Sequence, residues 1–309
     1  MSGPLPTHST AAPASPRHND ADMRLPFIKM QGLGNDFVML SQLVAQDWEL
    51  DPDTDASRIA QLTRFVCDRH FGIGADGLIF PWPVHDGSSS TIRFVYFNSD
   101  GSQAEMCGNG MRCFAQFVKN EGLVSESEFA VDTPAGAIQP AVHEGTDQVT
   151  VDMGRPVVES THETLYVAET AFPVSCVSMG NPHCLIFQED LKEPLDPAVF
   201  GPMIETHSRF PARTNVEFIE IVDRGHVKVV VWERGCGFTL ACGTGACAVA
   251  VAGIALGKLD HTVAVDLPGG TLHIQWDGRL DSPVLMRGPA TRVFEGEIMV
   301  PSSIWHLNS

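Results

Sequence analysis

A short vocabulary occurs twice in this chain, in the same order. GLGNDFV carries Gly34-Asn35 and SMGNPHC carries Gly180-Asn181; further along each half, Cys107-Gly108-Asn109-Gly110 is answered by Cys242-Gly243-Thr244-Gly245. A chain that repeats an ordered set of motifs is constrained to fold as two similar units. Its 309 residues suffice for two cores of ordinary size, because single cores stop growing near roughly 250–300 residues.

The text before each cysteine matches as well. TIRFVYFNSDGSQAEMC alternates Ile92, Phe94 and Tyr96 like a half-buried strand and turns at Ser99-Asp100-Gly101; HVKVVVWERGCGFTLAC alternates Val227, Val229 and Val231 and turns at Gly235. Asn98 lies nine residues before Cys107, and Glu233 lies nine before Cys242. The residues after each cysteine read as helix. Met111, Phe114, Ala115 and Val118 fall at helical spacing ahead of Gly122, a C-cap glycine, and ACAVAVAGIALG is apolar on every face, as in a helix enclosed by protein. HTVAVDLPGGTLHIQWDG reads as an antiparallel hairpin.

The predicted fold is therefore α+β: two pseudo-symmetric lobes, each a curled, barrel-like, mostly antiparallel sheet around a central helix, with the active site in the cleft between them. Residues 1–24, rich in Pro, Ser, Thr and Ala, read as a disordered tail. Residues 25–148 form the first lobe with Cys107, completed by about 288–309, and residues 149–287 form the second with Cys242.

Each cysteine thus opens a helix, where free N–H groups and a partial positive charge lower a thiol pKa and hold anions. Flanking glycines let the backbone close on such an anion. Two such termini across a cleft would grip one carboxylate and aim a sulfur at each face of the neighbouring carbon. Inverting that carbon needs a base on one face and an acid on the other, which a thiolate and a thiol supply. Cys107 and Cys113, or Cys242 and Cys247, lack the tight spacing of zinc ligands, so no metal is expected. No lysine-bearing motif for a pyridoxal cofactor stands out. Cys67, Cys113, Cys176, Cys184 and Cys247 read as small buried hydrophobes.

A net charge of −18 argues against a nucleic-acid binder, whose affinity comes from clustered Lys and Arg. No apolar run approaches the roughly 18 residues of a membrane span. Without a signal peptide, the expected compartment is the cytoplasm, where the eight cysteines stay reduced.

Six blocks in register, KMQGLGNDFV, DRHFGIGADGLI, YFNSDGSQAEMCGNGMRC, SMGNPHC, TNVEFIEI and WERGCGFTLACGTGACA, resemble the diaminopimelate epimerase family. The resemblance implies cofactor-independent interconversion of LL- and meso-2,6-diaminopimelate, on the route to lysine and, in bacteria, peptidoglycan, by a homodimeric enzyme. It implies that Cys107 and Cys242 are the acid/base thiols. Gly108, Asn109, Gly243 and Thr244 match the carboxylate cradle. Asn35, Asn98, Asn181, Asn215 and Arg234 match positions that hold substrate, and His183 and Glu233 match positions that support proton exchange or orient the amino group. Phe238 and Gly77 depart from the common pattern, the second removing one polar contact to substrate. Three other readings stay open: a proline or hydroxyproline racemase, whose first motif usually reads Cys-Gly-His-Gly, a thiol-redox protein, and a non-catalytic amino-acid binder.

Overall fold

The computed structural model describes residues 23–85 and 90–305. The tail read from residues 1–24 lies outside the described residues up to residue 22; Met23 and Arg24 open the first strand, paired with Val300 and Met299.

The first sheet is built from β1 (Met23–Gly32), β2 (Asn35–Met39), β3 (Gly77–His85), β4 (Ser90–Asn98) and β5 (Val131–Asp132), with helices α1 (Gln42–Asp47) and α2 (Ala56–Cys67) between β2 and β3. Helix α3 (Gly108–Asn120) comes after β4. The second sheet takes β6 (Ala141–Val142), β7 (Gln148–Asp152), β8 (Val157–Val167), β9 (Thr170–Ser178), β10 (Pro182–Phe187), β11 (Asn215–Asp223), β12 (His226–Glu233), β13 (Gly237–Phe238), β14 (Thr262–Leu267), β15 (Gly270–Gln275) and β16 (Leu285–Pro289). Helix α4 (Pro197–Glu205) connects β10 to β11, and α5 (Gly243–Ala255) comes after β13. The chain then returns as β17 (Thr291–Val300) to pair antiparallel with β1.

The repeated text becomes repeated structure. β2 and β3 pair in parallel with Phe37 opposite Gly77 and Met39 opposite Ile79, then β3 turns back antiparallel onto β4. β10 and β11 pair in parallel with His183 opposite Asn215 and Leu185 opposite Glu217, then β11 turns back onto β12. Parallel neighbours need a crossover, and α2 and α4 supply the two. Neither sheet closes on itself: among the described residues the first ends at β17 and β5, the second at β8 and β6. Two sheets with central helices are as expected, and no closed barrel is formed among the described residues. β5 and β6 are two residues long, but the bridges Val131–Ile138 and Glu128–Ala141 carry antiparallel pairing from one to the other, so the edges of the two sheets are joined and neither is closed.

The core explains both helix patterns. α3 buries Met111, Phe114, Ala115 and Val118, and α5 is buried without a break from Gly245 to Gly253. Fully burying each valine of α5 stabilises by about 1.5–3 kcal/mol, so this helix belongs inside its sheet. α5 packs on β9, β14 and β15, while α3 packs on β1, β2 and also β7, a strand of the second sheet.

The two halves also meet at the rim. A Cβ on Gly269, in the β14–β15 turn, would lie 2.1 Å from the Leu33 carbonyl oxygen of the β1–β2 turn, so only glycine allows the two turns to touch. Gly269→Ala is expected to lower stability by about 1–3 kcal/mol through overpacking. An unchanged urea midpoint would show that the turns part freely.

Candidate active site

Cys107 and Cys242 occupy the N-cap positions of α3 and α5 with extended backbone, φ −144° and −123°. At such a position a side-chain acceptor takes the N–H of the third helical residue. Here Gly110 N–H donates to Cys107 Sγ at 3.4 Å and Gly245 N–H to Cys242 Sγ at 3.3 Å. The glycines in Cys-Gly-x-Gly have steric reasons. A Cβ on Gly108 would sit 2.8 Å from Met286 Cε, and one on Gly243 would sit 3.1 Å from Met286 Sδ. The two helix starts therefore share one methionine, and the Gly243 position is 3.6 Å from Asn109 Oδ1 on the opposite helix.

Both thiols line one cleft of about 1470 Å³. Asn35, Asn98, Gly108, Asn109, Asn181, Glu233, Gly243 and Thr244 line the same cleft. His183, Asn215 and Arg234 do not. His183 is 1% exposed, and Asn215 is a strut, donating to the Pro182 carbonyl and accepting from Arg234 N–H. The Arg234 guanidinium donates to the Ala212 carbonyl. Gly77 is likewise outside the cleft: a Cβ there would lie 2.5 Å from Tyr96 Cε2, so close packing accounts for the glycine. Phe238 lines the cleft, edge-on to Trp232 at 5.0 Å between centroids.

The repeat extends to hydrogen bonds. Cys107 Sγ donates to Asn35 Oδ1 at 3.7 Å, and that oxygen also accepts from Asn109 Nδ2 at 3.3 Å. In the other lobe Asn181 Nδ2 donates to Thr244 Oγ1 at 3.3 Å, and Thr244 Oγ1 lies 3.5 Å from Cys242 Sγ. Asn98 Oδ1 accepts from the Tyr96 hydroxyl at 2.7 Å, and Glu233 Oε1 accepts from Thr239 at 2.5 Å.

Four residues escaped the sequence reading. Asp76 accepts from Asn35 Nδ2 at 2.6 Å, and Arg69 bridges Asp76 to Asp36 with 2.8 Å contacts. Glu217 meets His183 Nδ1 at 2.6 Å with both side chains fully buried. Its signal was present, as a lone acid in the buried run Asn215–Ile219 of β11. Cys236 is exposed at the cleft, on the loop before Cys242.

Helix N-termini were expected to lower both thiol pKa values; burial outweighs them. Burial pushes Cys107 up and Glu233 adds to the rise, with the Gly110 and Asn109 N–H groups and the Arg112 guanidinium pulling it back. Cys242 is pushed well above the ordinary thiol range by burial and then by the Glu233 and Glu217 carboxylates, with Thr244 and Gly245 opposing. Glu233 is itself raised by burial, with Glu217 adding to the rise. The asymmetry lies in the charges: Glu233 bears on both sulfurs, the buried Arg112 cation on Cys107 and the Glu217 carboxylate on Cys242. Such a pair can offer a base from one side and a proton from the other.

The diaminopimelate epimerase family model matches residues 27–159 and 175–293. Diaminopimelate epimerase of Desulforudis audaxviator is 46% identical, over 88% of this chain and 99% of that protein. The chloroplastic diaminopimelate epimerase of Oryza sativa subsp. japonica is 43% identical, over 93% of this chain and 84% of that one. The crystal structure of methylitaconate-delta-isomerase shares the fold, with a TM-score of 0.67 at 14% identity over 94% of this chain and 98% of that one. With two cysteine-capped helices meeting over one cleft and a family match along most of its length, this chain belongs to the diaminopimelate epimerase family.

Proposed function

We propose that Cys107 and Cys242 are the acid/base thiols of a cofactor-independent epimerase acting at one α-carbon of 2,6-diaminopimelate. Family membership makes the protein an isomerase that converts the LL form to the meso form. The observation that carries the residue assignment is the shared cleft, in which two thiols cap two adjoining helix N-termini.

The α-carboxylate sits against the N–H groups at Gly108, Asn109, Gly243 and Thr244, where both helix ends favour negative charge. A thiolate takes the α-proton on one face. The electron pair left behind spreads into the carboxylate, where the same N–H groups stabilise the added charge. The opposite thiol then gives its proton to the other face, so the carbon inverts and the two sulfurs exchange roles. Arg112 eases ionisation of Cys107, whereas Glu233 opposes it at both sulfurs and is the leading charge acting against it at Cys242. Asn35, Asn98 and Asn181 present amides to the cleft for the distal amino-acid end, while Asn215 and Arg234 are tied to each other outside its lining.

The proposal extends to lysine biosynthesis, and peptidoglycan in bacteria, as the destination of the product. All eight cysteines are unpaired, as in the reducing cytoplasm. Val293, Phe294 and Met299 are exposed on edge strand β17, an apolar surface suited to pairing two copies.

Cys107→Ser and Cys242→Ser are each expected to lower interconversion by about 10²–10⁴-fold. The wild-type protein in D₂O should place solvent deuterium at the inverted carbon; either variant at parental rate would reject the assignment. As pH rises through alkylation of the free enzyme, Cys107 should become reactive before Cys242, because thiolate is the reacting form. The reverse order contradicts the charge assignment. A sedimentation mass of a single chain at micromolar concentration would remove the homodimer.

A further inference from the structure

The pseudo-symmetry of the lobes exposes one place where they differ in kind. In the first lobe Phe37 and Ile79 stand behind the cysteine-capped turn: a Cβ on Gly110 would meet Ile79 Cδ1 at 3.1 Å and Phe37 Cζ at 3.5 Å. By strand register, their counterparts in the second lobe are His183 and Glu217. A Cβ on Gly245 would accordingly meet Glu217 Oε1 at 2.7 Å. Hydrocarbon suffices at this place in one lobe, yet the other buries an acid and an imidazole, each 1% exposed or less. A buried ionic pair is no better for stability than well-packed apolar residues of similar volume, so packing alone gives no reason for it.

The pair begins a continuous path to the sulfur. His183 Nδ1 meets Glu217 Oε1 at 2.6 Å, and His183 Nε2 meets Asn181 Oδ1 at 3.1 Å. Asn181 Nδ2 donates to Thr244 Oγ1 at 3.3 Å, which lies 3.5 Å from Cys242 Sγ. With this amide orientation Nε2 donates to Asn181 Oδ1, and one further proton lies between Nδ1 and Glu217 Oε1. Asn181 then fills an acceptor site on Thr244, and the threonine hydrogen is left for Cys242 Sγ. Every donor finds an acceptor when that sulfur is a thiolate.

We propose that Glu217 is a positioning residue: by sharing a proton with His183 Nδ1 it keeps Nε2–H turned to Asn181 and polarises the path through Asn181 and Thr244, so that a hydroxyl donates to the Cys242 thiolate. The proposal rests on the reading of Cys242 as one of the acid/base thiols. Glu217 touches neither the cleft nor the cradle. Its role belongs to the half-reaction in which Cys242 is the charged sulfur, the form that burial and nearby carboxylates otherwise oppose. The first lobe needs no equivalent, because the Arg112 guanidinium acts on Cys107 there. The titratable groups around the path are Cys242 on the N-terminus of α5, Glu233 at the end of β12, and Cys184 on β10, besides the His183–Glu217 pair.

Glu217→Gln separates this role from that of a nearby negative charge. Simple removal of an anion would make Cys242 easier to ionise; loss of the polarised path makes it harder. Tracking alkylation of each cysteine against pH by peptide mass analysis, we expect the Cys242 midpoint in Glu217→Gln to rise by about one unit, a tenfold loss of thiolate at fixed pH. Cys107 should stay unchanged. Thr244→Val should give a similar rise, Thr244→Ser should restore it, and the double variant should rise no further than either single one. A Cys242 midpoint that falls, or shifts that add, would falsify the role. In kinetics Glu217→Gln should lower kcat, with KM held, in the direction that starts from the Cys242 thiolate. If Glu217→Gln fails to fold, ¹⁵N NMR of the wild-type His183 ring decides: a proton on Nε2 is expected, and an Nε2 that carries none overturns the proposal. These titrations need no substrate, so a failed epimerase reading shows separately, as absent deuterium incorporation by the wild-type protein.

Discussion

Two helix N-termini meet end to end above one methionine side chain, and most of the site depends on that contact. Gly108 and Gly243 bring the backbones of α3 and α5 against Met286 from opposite lobes, and a side chain at either glycine would push them apart. Unpaired N–H groups from both helices then serve one small volume, each helix adding its partial positive charge. Cysteine at each N-cap puts a sulfur at the edge of that volume. The thiols receive a hydrogen bond from the third helical glycine and keep a face toward the cleft.

Burial is the second constraint, and it changes what the helix ends achieve. In water, a helix terminus alone would draw a thiol toward ionisation. In this cleft, removal from solvent is the larger effect, and the direction is upward for both sulfurs. Selectivity between them comes from fixed charges further out. Arg112, wholly buried and held by the Pro289 carbonyl, serves the Cys107 side, and Glu233 is the leading charge on the Cys242 side. Near-identical backbones are thereby given unlike electrostatics, which a reaction needing one base and one acid requires.

Support for the two cleft asparagines diverges in the same way. Asn35 is held from the solvent side, through Asp76 and Arg69, whereas Asn181 is held from the core by His183. The duplicated part of the sequence specifies the geometry, and the unduplicated residues behind it tune the charge. Phe37 and His183 occupy equivalent strand positions with opposite chemistry, so the symmetry of the fold exceeds the symmetry of the site.

Much of this was legible in the chain. The paired Gly-Asn and Cys-Gly-x-Gly motifs, the alternation before each cysteine and the helical spacing after it are local, and local regularities survive folding. They placed both cysteines at helix N-termini beside glycines, and anticipated the enclosed α5 and the two similar halves. Sheet closure was not legible, because strand alternation does not state which edge finds which neighbour. The partners of Asn35 and His183 were equally out of reach: Asp76 and Glu217 come to them across parallel pairings that depend on the α2 and α4 crossovers. The ionisation of the thiols was misjudged for a related reason, since spacing reveals a helix terminus but not how much water reaches it. Residue order determined what each half could form; only the packing of one half against the other decided the electrostatic character of the cleft, because burial and charge separation are properties of assembled surfaces.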